Sequence, residues 1–202
     1  MPSVATTVAS GEGRFSPQSY ENLEEFQVVK ALRSGRTAVR RTRVEEVGLL
    51  LAAARTAIGG AIASEAVVTR VVAQNPDSAW TFIRRGRLVG GLAMLMLNVA
   101  GLRALLLDSS IDFQDPAREL LVGPSDAPAA IYIWGVLAPA LAIDGVGEVM
   151  LRLRSPQYNS ADLYAFRTTI QGARFQERLG FQAVPGHARN LYRYVRFANR
   201  LH

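Results

Sequence analysis

Gly145 and Gly147 are the residues of this 202-residue chain whose spacing points most directly at chemistry. They follow a β-branched and aromatic run, Ile131, Ile133, Trp134 and Val136, which Pro139 closes. They open a segment in which Val146, Val149, Met150 and Leu153 recur at helical spacing. A strand that feeds a helix through glycines is a place to hold an anion. The first helical amides lack intrahelical partners, the helix dipole is positive at that end, and glycine lets a phosphate approach the backbone closely. The stretch Ala130 to Arg154 therefore reads as a buried strand, a turn that cradles phosphate, and a helix.

Composition removes several other chemistries. The chain has no cysteine, which excludes a disulfide framework, a thiolate zinc site and a cysteine nucleophile. Its two histidines, His187 and the last residue His202, are too few for a histidine metal cluster, so no metal is implied. The net charge of +6 is carried almost wholly by arginine, Lys30 being the only lysine, and arginine grips planar anions bidentately. A nucleic-acid partner is the rival reading of that charge. The arginines are dispersed, however, and the runs Arg36 to Arg43 and Arg84 to Arg87 lack interleaved aromatics for base stacking, which favours a solvated surface.

The elements that must position the glycine turn can be read along the chain. Residues 1–36 read as a polar lead-in without the basic region and apolar core of a secretory signal, and a single domain spans 37–202. Thr37 to Arg43 is a first strand. Glu45 and Glu46 load a helix whose apolar face is Val47, Leu50, Leu51 and Ala54, and Gly59-Gly60 stop it. Ser64 caps a second helix that ends before the turn chemistry of Asn75-Pro76-Asp77.

Trp80 to Arg84 and Leu88 to Leu97 are strands flanking a hairpin turn at Arg85-Gly86-Arg87. Leu88 to Leu107 is long enough for a membrane span, but Asn98, Arg103 and three glycines interrupt it. Two buried strands joined by a turn explain its apolarity without a charge in the bilayer, so the expected setting is the cytoplasm, away from any membrane. Leu102 to Ala129 reads as a long, loop-rich connection. After the central stretch come a strand from Ala161 to Thr169, a helix from Gln171 to Leu179 closed by Gly180, a strand from Phe181 to Val184, and an alternating strand from Asn190 to Phe197.

The order β, α, α, β, β, long loop, β, α, β, α, β, β resembles the GNAT superfamily of acyl-CoA-dependent N-acyltransferases. Two local matches carry the resemblance further. Ala142-Ile143-Asp144-Gly145-Val146-Gly147 is similar to that family's Q/R-x-x-G-x-G/A element, with Ala142 in place of Gln or Arg. Arg174 to Phe181, RFQERLGF, is similar to its L-Y-x-x-x-G-F segment, with Gln176 in place of Tyr.

The resemblance implies an α/β (α+β) fold with a mixed, mostly antiparallel central sheet flanked by helices. It implies acetyl-CoA or another acyl-CoA as co-substrate and transfer of an acyl group to an amine of an unidentified acceptor. Amides from Ile143 to Glu148, covering Ile143, Asp144, Gly145, Val146, Gly147 and Glu148, would hold the pyrophosphate. Val136 and Leu137 of the preceding strand would pair with the pantetheine arm, and Ala142 and Gln176 would line the same site.

Acyl transfer from a thioester to an amine needs an oxyanion donor, an acid for the leaving thiolate and a deprotonated nucleophile. The resemblance puts the donor on the backbone at or near Leu137. Because a glutamine is not an acid, Tyr164 or Tyr158 is the substitute to consider, or the thiolate leaves unaided. Asp108, Asp112, Asp115 and Glu65 are the carboxylates to consider as base, and His187 sits in a Pro-Gly-His turn expected to be exposed. A GNAT-like module that binds coenzyme A or a nucleotide without transfer is the alternative that Ala142, Asp144 and Gln176 motivate. A homodimer stays open.

Overall fold

The computed structural model describes residues 36–58, 62–107 and 111–196. The lead-in before Arg36, the Gly59-Gly60 stop, Asp108, Phe197 and His202 lie outside the described residues.

Strand β1, Ala38–Arg41, is followed by a 3-10 turn over Val44–Glu46 and helix α1, Val47–Ile58. Glu46 closes the entry to α1 by pairing with the Arg40 guanidinium and accepting the Arg43 N–H. Helix α2, Glu65–Gln74, starts where Ser64 Oγ accepts the Val67 N–H at 3.3 Å, the cap that its position indicates. Strands β2, Ala79–Arg84, and β3, Arg87–Leu97, meet through a two-residue turn in which Arg85 and Gly86 both take positive φ, 51° and 74°. That geometry matches the right-handed twist of the strands it joins.

The apolar run from Leu88 to Leu107 differs from expectation. It is one 11-residue strand followed by helix α3, Val99–Leu106, and not two strands. Asn98 makes the break, its side chain accepting the Gly101 N–H at 2.9 Å. The described part of the long connection, from Ile111, holds a 3-10 turn over Arg118–Leu120 and one bridge between Leu97 and Leu121, and leads to β4, Ala130–Leu137. A 3-10 turn, Ala140–Ala142, leads into helix α4, Ile143–Arg152.

Strand β5, Asp162–Phe166, precedes helix α5, Ile170–Leu179, which Thr169 caps and Gly180 ends in the left-handed conformation at φ 83°. Strands β6, Gln182–Ala183, and β7, Leu191–Tyr194, complete the regular structure among the described residues. The seven strands form one sheet in the order β1-β2-β3-β4-β5-β7-β6, antiparallel throughout except for β4 beside β5.

Two apolar clusters cover the two faces. Phe82, Met94, Met96 and Ile131 pack with Val146 and Val149 of α4 and with Leu153 just past its end on one. Leu95, Leu97, Tyr132 and Tyr164 pack with Val71 of α2 and Leu105 of α3 on the other. Burial of β3 on both faces explains why its sequence is continuously apolar. Among the described residues no helix is long and apolar enough to cross a membrane.

Candidate active site

Strand β4 is fourth of seven, where neighbours on both sides should cover it. On one side it pairs with β3 along its whole length, from Leu97 opposite Ala130 to Gly91 opposite Leu137. On the other it pairs with β5 only at Ala130 with Asp162, Ile131 with Leu163 and Tyr132 with Tyr164. Beyond that point the strands part. Exposure follows the split: Ala130 to Tyr132 are buried, while Ile133 to Leu137 are half-buried despite their central position.

A local cause is visible in the register. Met94 lies opposite Ile133 and Ala93 opposite Gly135, so Trp134 has no partner on β3 and bulges. A bulge bends and twists its strand. Trp134 Nε1 also donates to Phe113 O at 2.7 Å, anchoring the long connection on that face.

Two peptide orientations define the edges of the gap. A Cβ built on Gly90 would stand 2.1 Å from Leu137 O, so that carbonyl points toward β3. There is no cis peptide among the described residues, so the next N–H, that of Ala138, points away from Gly90. On the far edge the Arg167 N–H donates to Asn190 O on the β7 side at 3.5 Å, which turns the Phe166 carbonyl into the gap. Gln176 reaches in from α5, and its Nε2 donates to that carbonyl at 3.1 Å.

Helix α4 begins at Ile143, two residues before the first glycine of the motif. From Val146 onward the N–H groups are committed to carbonyls one turn back. The Gly145 N–H meets Asp144 Oδ1 at 3.1 Å, and the Ala142 N–H meets Pro139 O at 2.7 Å. Of the expected donors from Ile143 to Glu148, those of Val146, Gly147 and Glu148 lie inside the helix, and the first-turn amides Ile143 to Gly145 precede its i→i−4 ladder.

Asp144 faces away from that role. Its Oδ2 accepts the Thr37 N–H at 3.2 Å and so ties α4 to β1. Burial pushes its carboxyl up, but hydrogen bonds from Thr37 and Gly145 and the charge of Arg84 outweigh this and hold it below the usual range. Gly145 lets the helix close on the sheet, since a Cβ there would meet the Phe82 ring at 3.0 Å. Cβ atoms on Gly135 and Gly147 would meet nothing within 4 Å. Gly147 faces an open groove of about 510 Å³ that includes Ile143, Leu151, Leu179, Arg36 and Arg154.

This architecture was compared with known proteins. No protein-family model matches the sequence, and no curated protein matches it. Among solved structures, the loading GNATL domain of CurA from Lyngbya majuscula superposes with a TM-score of 0.53 at 15% identity, over 79% of this chain and 97% of that one. A GNAT-family acetyltransferase from Staphylococcus aureus Mu50 gives 0.51 at 10% identity, over 79% and 98%. Ard1 from Thermoplasma volcanium gives 0.50 at 12% identity, over 78% and 94%. The chain has the GNAT fold.

Within this GNAT fold, the structure brings Val136, Leu137, the α4 N-terminus and Gln176 to one end of the sheet, around the gap. Tyr164 stands at its vertex, in the last pairing before the strands part, and is buried. Burial raises the Tyr164 phenol, with Asp162 adding to this and Arg193 opposing it. Tyr158 lies at the opposite end of the sheet. Its hydroxyl donates to Asp77 Oδ2 at 2.6 Å, and burial together with that carboxylate raises its phenol far above the ordinary value.

The carboxylates considered as bases have local partners. Asp112 accepts the Gln114 N–H at 2.8 Å, Asp115 pairs with Arg70, and Glu65 stands in the first turn of α2 against Gly48. His187 is not an exposed turn residue. It is half-buried, accepts the Arg189 N–H on Nδ1 at 3.2 Å, and presents Nε2 to Leu105 O at 3.0 Å.

Sequence reasoning missed Gly90, Trp134 and Ala138 as shapers of the gap. Gly90 and Gly91 inside an apolar strand are a sign of close backbone approach, and that signal was available.

Proposed function

We propose that this chain is an acyl-CoA-dependent N-acyltransferase of the cytoplasm, its catalytic unit lying within residues 37–202. The observation that carries this reading is the gap between β4 and β5, a slot with free strand edges in the middle of a sheet. A pantetheine-like arm is a chain of secondary amides, and such a chain can take up strand hydrogen bonds that the absent pairing leaves open. The diphosphate end fits the first-turn amides at the positive end of α4, with Arg36 and Arg84 supplying charge nearby.

The chemistry that such a thioester supplies is an activated carbonyl. With its oxygen in the gap, Ala138 N–H is the donor placed to stabilise charge that develops there, which puts the donor one residue beyond Leu137. The neutral amine nitrogen attacks the carbonyl carbon, the carbon–sulfur bond breaks, the sulfur leaves with the bond's electrons as thiolate, and the nitrogen gives its extra proton to water.

Among the described residues no side chain at the gap is an acid suited to that sulfur. Gln176 stands where the family motif has its tyrosine, and Tyr164 is buried and holds its proton tightly. A thiolate has an ordinary pKa of about 8.5, so it can leave without a donor. This same feature favours a second reading, a module that binds the thioester and does not turn it over.

Calorimetric titration with acetyl-CoA and longer acyl-CoAs tests both readings, and absence of heat for every one of them refutes both. Release of free thiol with a panel of amines then separates them: release supports the transferase, and binding without release supports the module.

A further inference from the structure

Gln176 is 9% exposed, and its Oε1 has no hydrogen-bond partner. The orientation of its amide is not arbitrary. The Nε2 end faces Phe166 O at 3.1 Å, and only an N–H end can sit against a carbonyl oxygen. Oε1 is therefore the end left over, a buried acceptor on the α5 side of the gap, beside the carbonyl that the Arg167 to Asn190 bond turns inward. A buried acceptor without a donor is costly, and folded proteins keep few of them.

A polar group held at that cost, next to the opening between two strands, is suited to a ligand that brings a donor. We infer that Gln176 is a binding residue whose Oε1 accepts the N–H of a secondary amide on the ligand's arm, resting on the reading of the gap as the thioester slot. A secondary amide fits in particular, because it carries one donor and one acceptor. With its N–H on Gln176, its carbonyl is free for a strand amide of β4 across the gap. Gln176 thereby replaces an acid with an acceptor. It grips the arm and transfers no proton.

The test compares two probes on three proteins. The probes are coenzyme A and the same nucleotide without its arm, ADP carrying a 3′-phosphate. The proteins are the wild type, Gln176→Met, which removes the acceptor, and Gln176→Glu, which as the neutral acid donates to Phe166 O and still offers an acceptor oxygen. Isothermal titration at pH 4, below the ordinary glutamate pKa of about 4.3, is expected to show coenzyme A binding weakened about 3- to 10-fold in Gln176→Met, the loss of one hydrogen bond. The armless nucleotide should bind unchanged, and Gln176→Glu should retain most of the coenzyme A affinity.

If Gln176→Met weakens both probes equally, or neither, the inference is overturned and the orphaned oxygen belongs to a water. If Gln176→Met does not fold, Gln176→Glu decides: a selective loss of coenzyme A affinity there is equally fatal to the inference. Failure of coenzyme A to bind the wild type is a different outcome, which refutes the thioester slot itself.

Discussion

Adding one methyl group at Gly90 should damage both the stability and the chemistry of this protein. A Cβ there would lie 2.1 Å from Leu137 O, whereas a carbon–oxygen contact is comfortable only at about 3.3 Å. The obstacle is backbone, so β3 and β4 must part by roughly 1 Å, since no side chain can rotate away. Overpacking of this kind costs about 1–3 kcal/mol, and for a domain of this size each kcal/mol lowers Tm by about 2–4 °C.

The expected fall for Gly90→Ala is thus roughly 2–12 °C by calorimetry. The same movement turns the Leu137–Ala138 peptide, so thiol release per folded molecule should fall by about 10-fold or more, as when a positioned oxyanion donor is misplaced. Gly135→Ala is the control, since a Cβ there meets nothing within 4 Å. Equal Tm values for the two variants, or a destabilised Gly90→Ala with full turnover, would refute the reasoning.

Asp144→Asn removes the tether between α4 and β1. The folded carboxyl sits below its ordinary value, so its contribution is full above about pH 4 and is lost as pH falls through the lower, folded value. The stability deficit of the variant, measured by chemical denaturation, should be under about 1 kcal/mol at pH 7 for so exposed a group, and should close as the pH approaches 2. Tyr158→Phe should cost about 1.5–3 kcal/mol in chemical denaturation by removing the 2.6 Å bond to Asp77, with turnover per folded molecule unchanged because that bond lies at the other end of the sheet. Trp134→Phe removes the Nε1 bond to Phe113 O, and limited proteolysis should then cut faster within residues 111–117.

Much of this architecture was legible because local signals agreed with one another. The β-branched and aromatic run of β4, the cap at Ser64, the Arg85-Gly86-Arg87 turn and the Gly180 stop each named their element correctly, whereas Thr169, read as the end of a strand, caps α5. Helix α3 was hidden because Leu88 to Leu107 is apolar throughout, and such a run has no period to separate strand from helix. Asn98 was the punctuation that marks the helix start, and it was read as an interruption instead of a cap.

The entry to α4 was misplaced for a different reason. Glycines mark where a backbone is permissive, while here the 3-10 turn at Ala140–Ala142 had already begun the helical path. The gap could not be read at all. It depends on where pairing between β4 and β5 stops, and on which way two peptides face, and neither is local to any stretch of sequence.

The short seam between β4 and β5 also divides the sheet mechanically. Three residue pairs join a four-stranded half, β1 to β4, to a three-stranded half, β5, β7 and β6. Each half carries its own continuous antiparallel ladder, so the seam is where the molecule can breathe without melting either side. A ligand lodged there would behave as a splint between two plates. At 100 times its dissociation constant it would add about 2.7 kcal/mol to stability, and much of that gain should register as slower amide exchange in residues 133–138 and 164–167. Tightness of binding and stiffness of the whole sheet would then be one quantity, measured at two ends of the same slot.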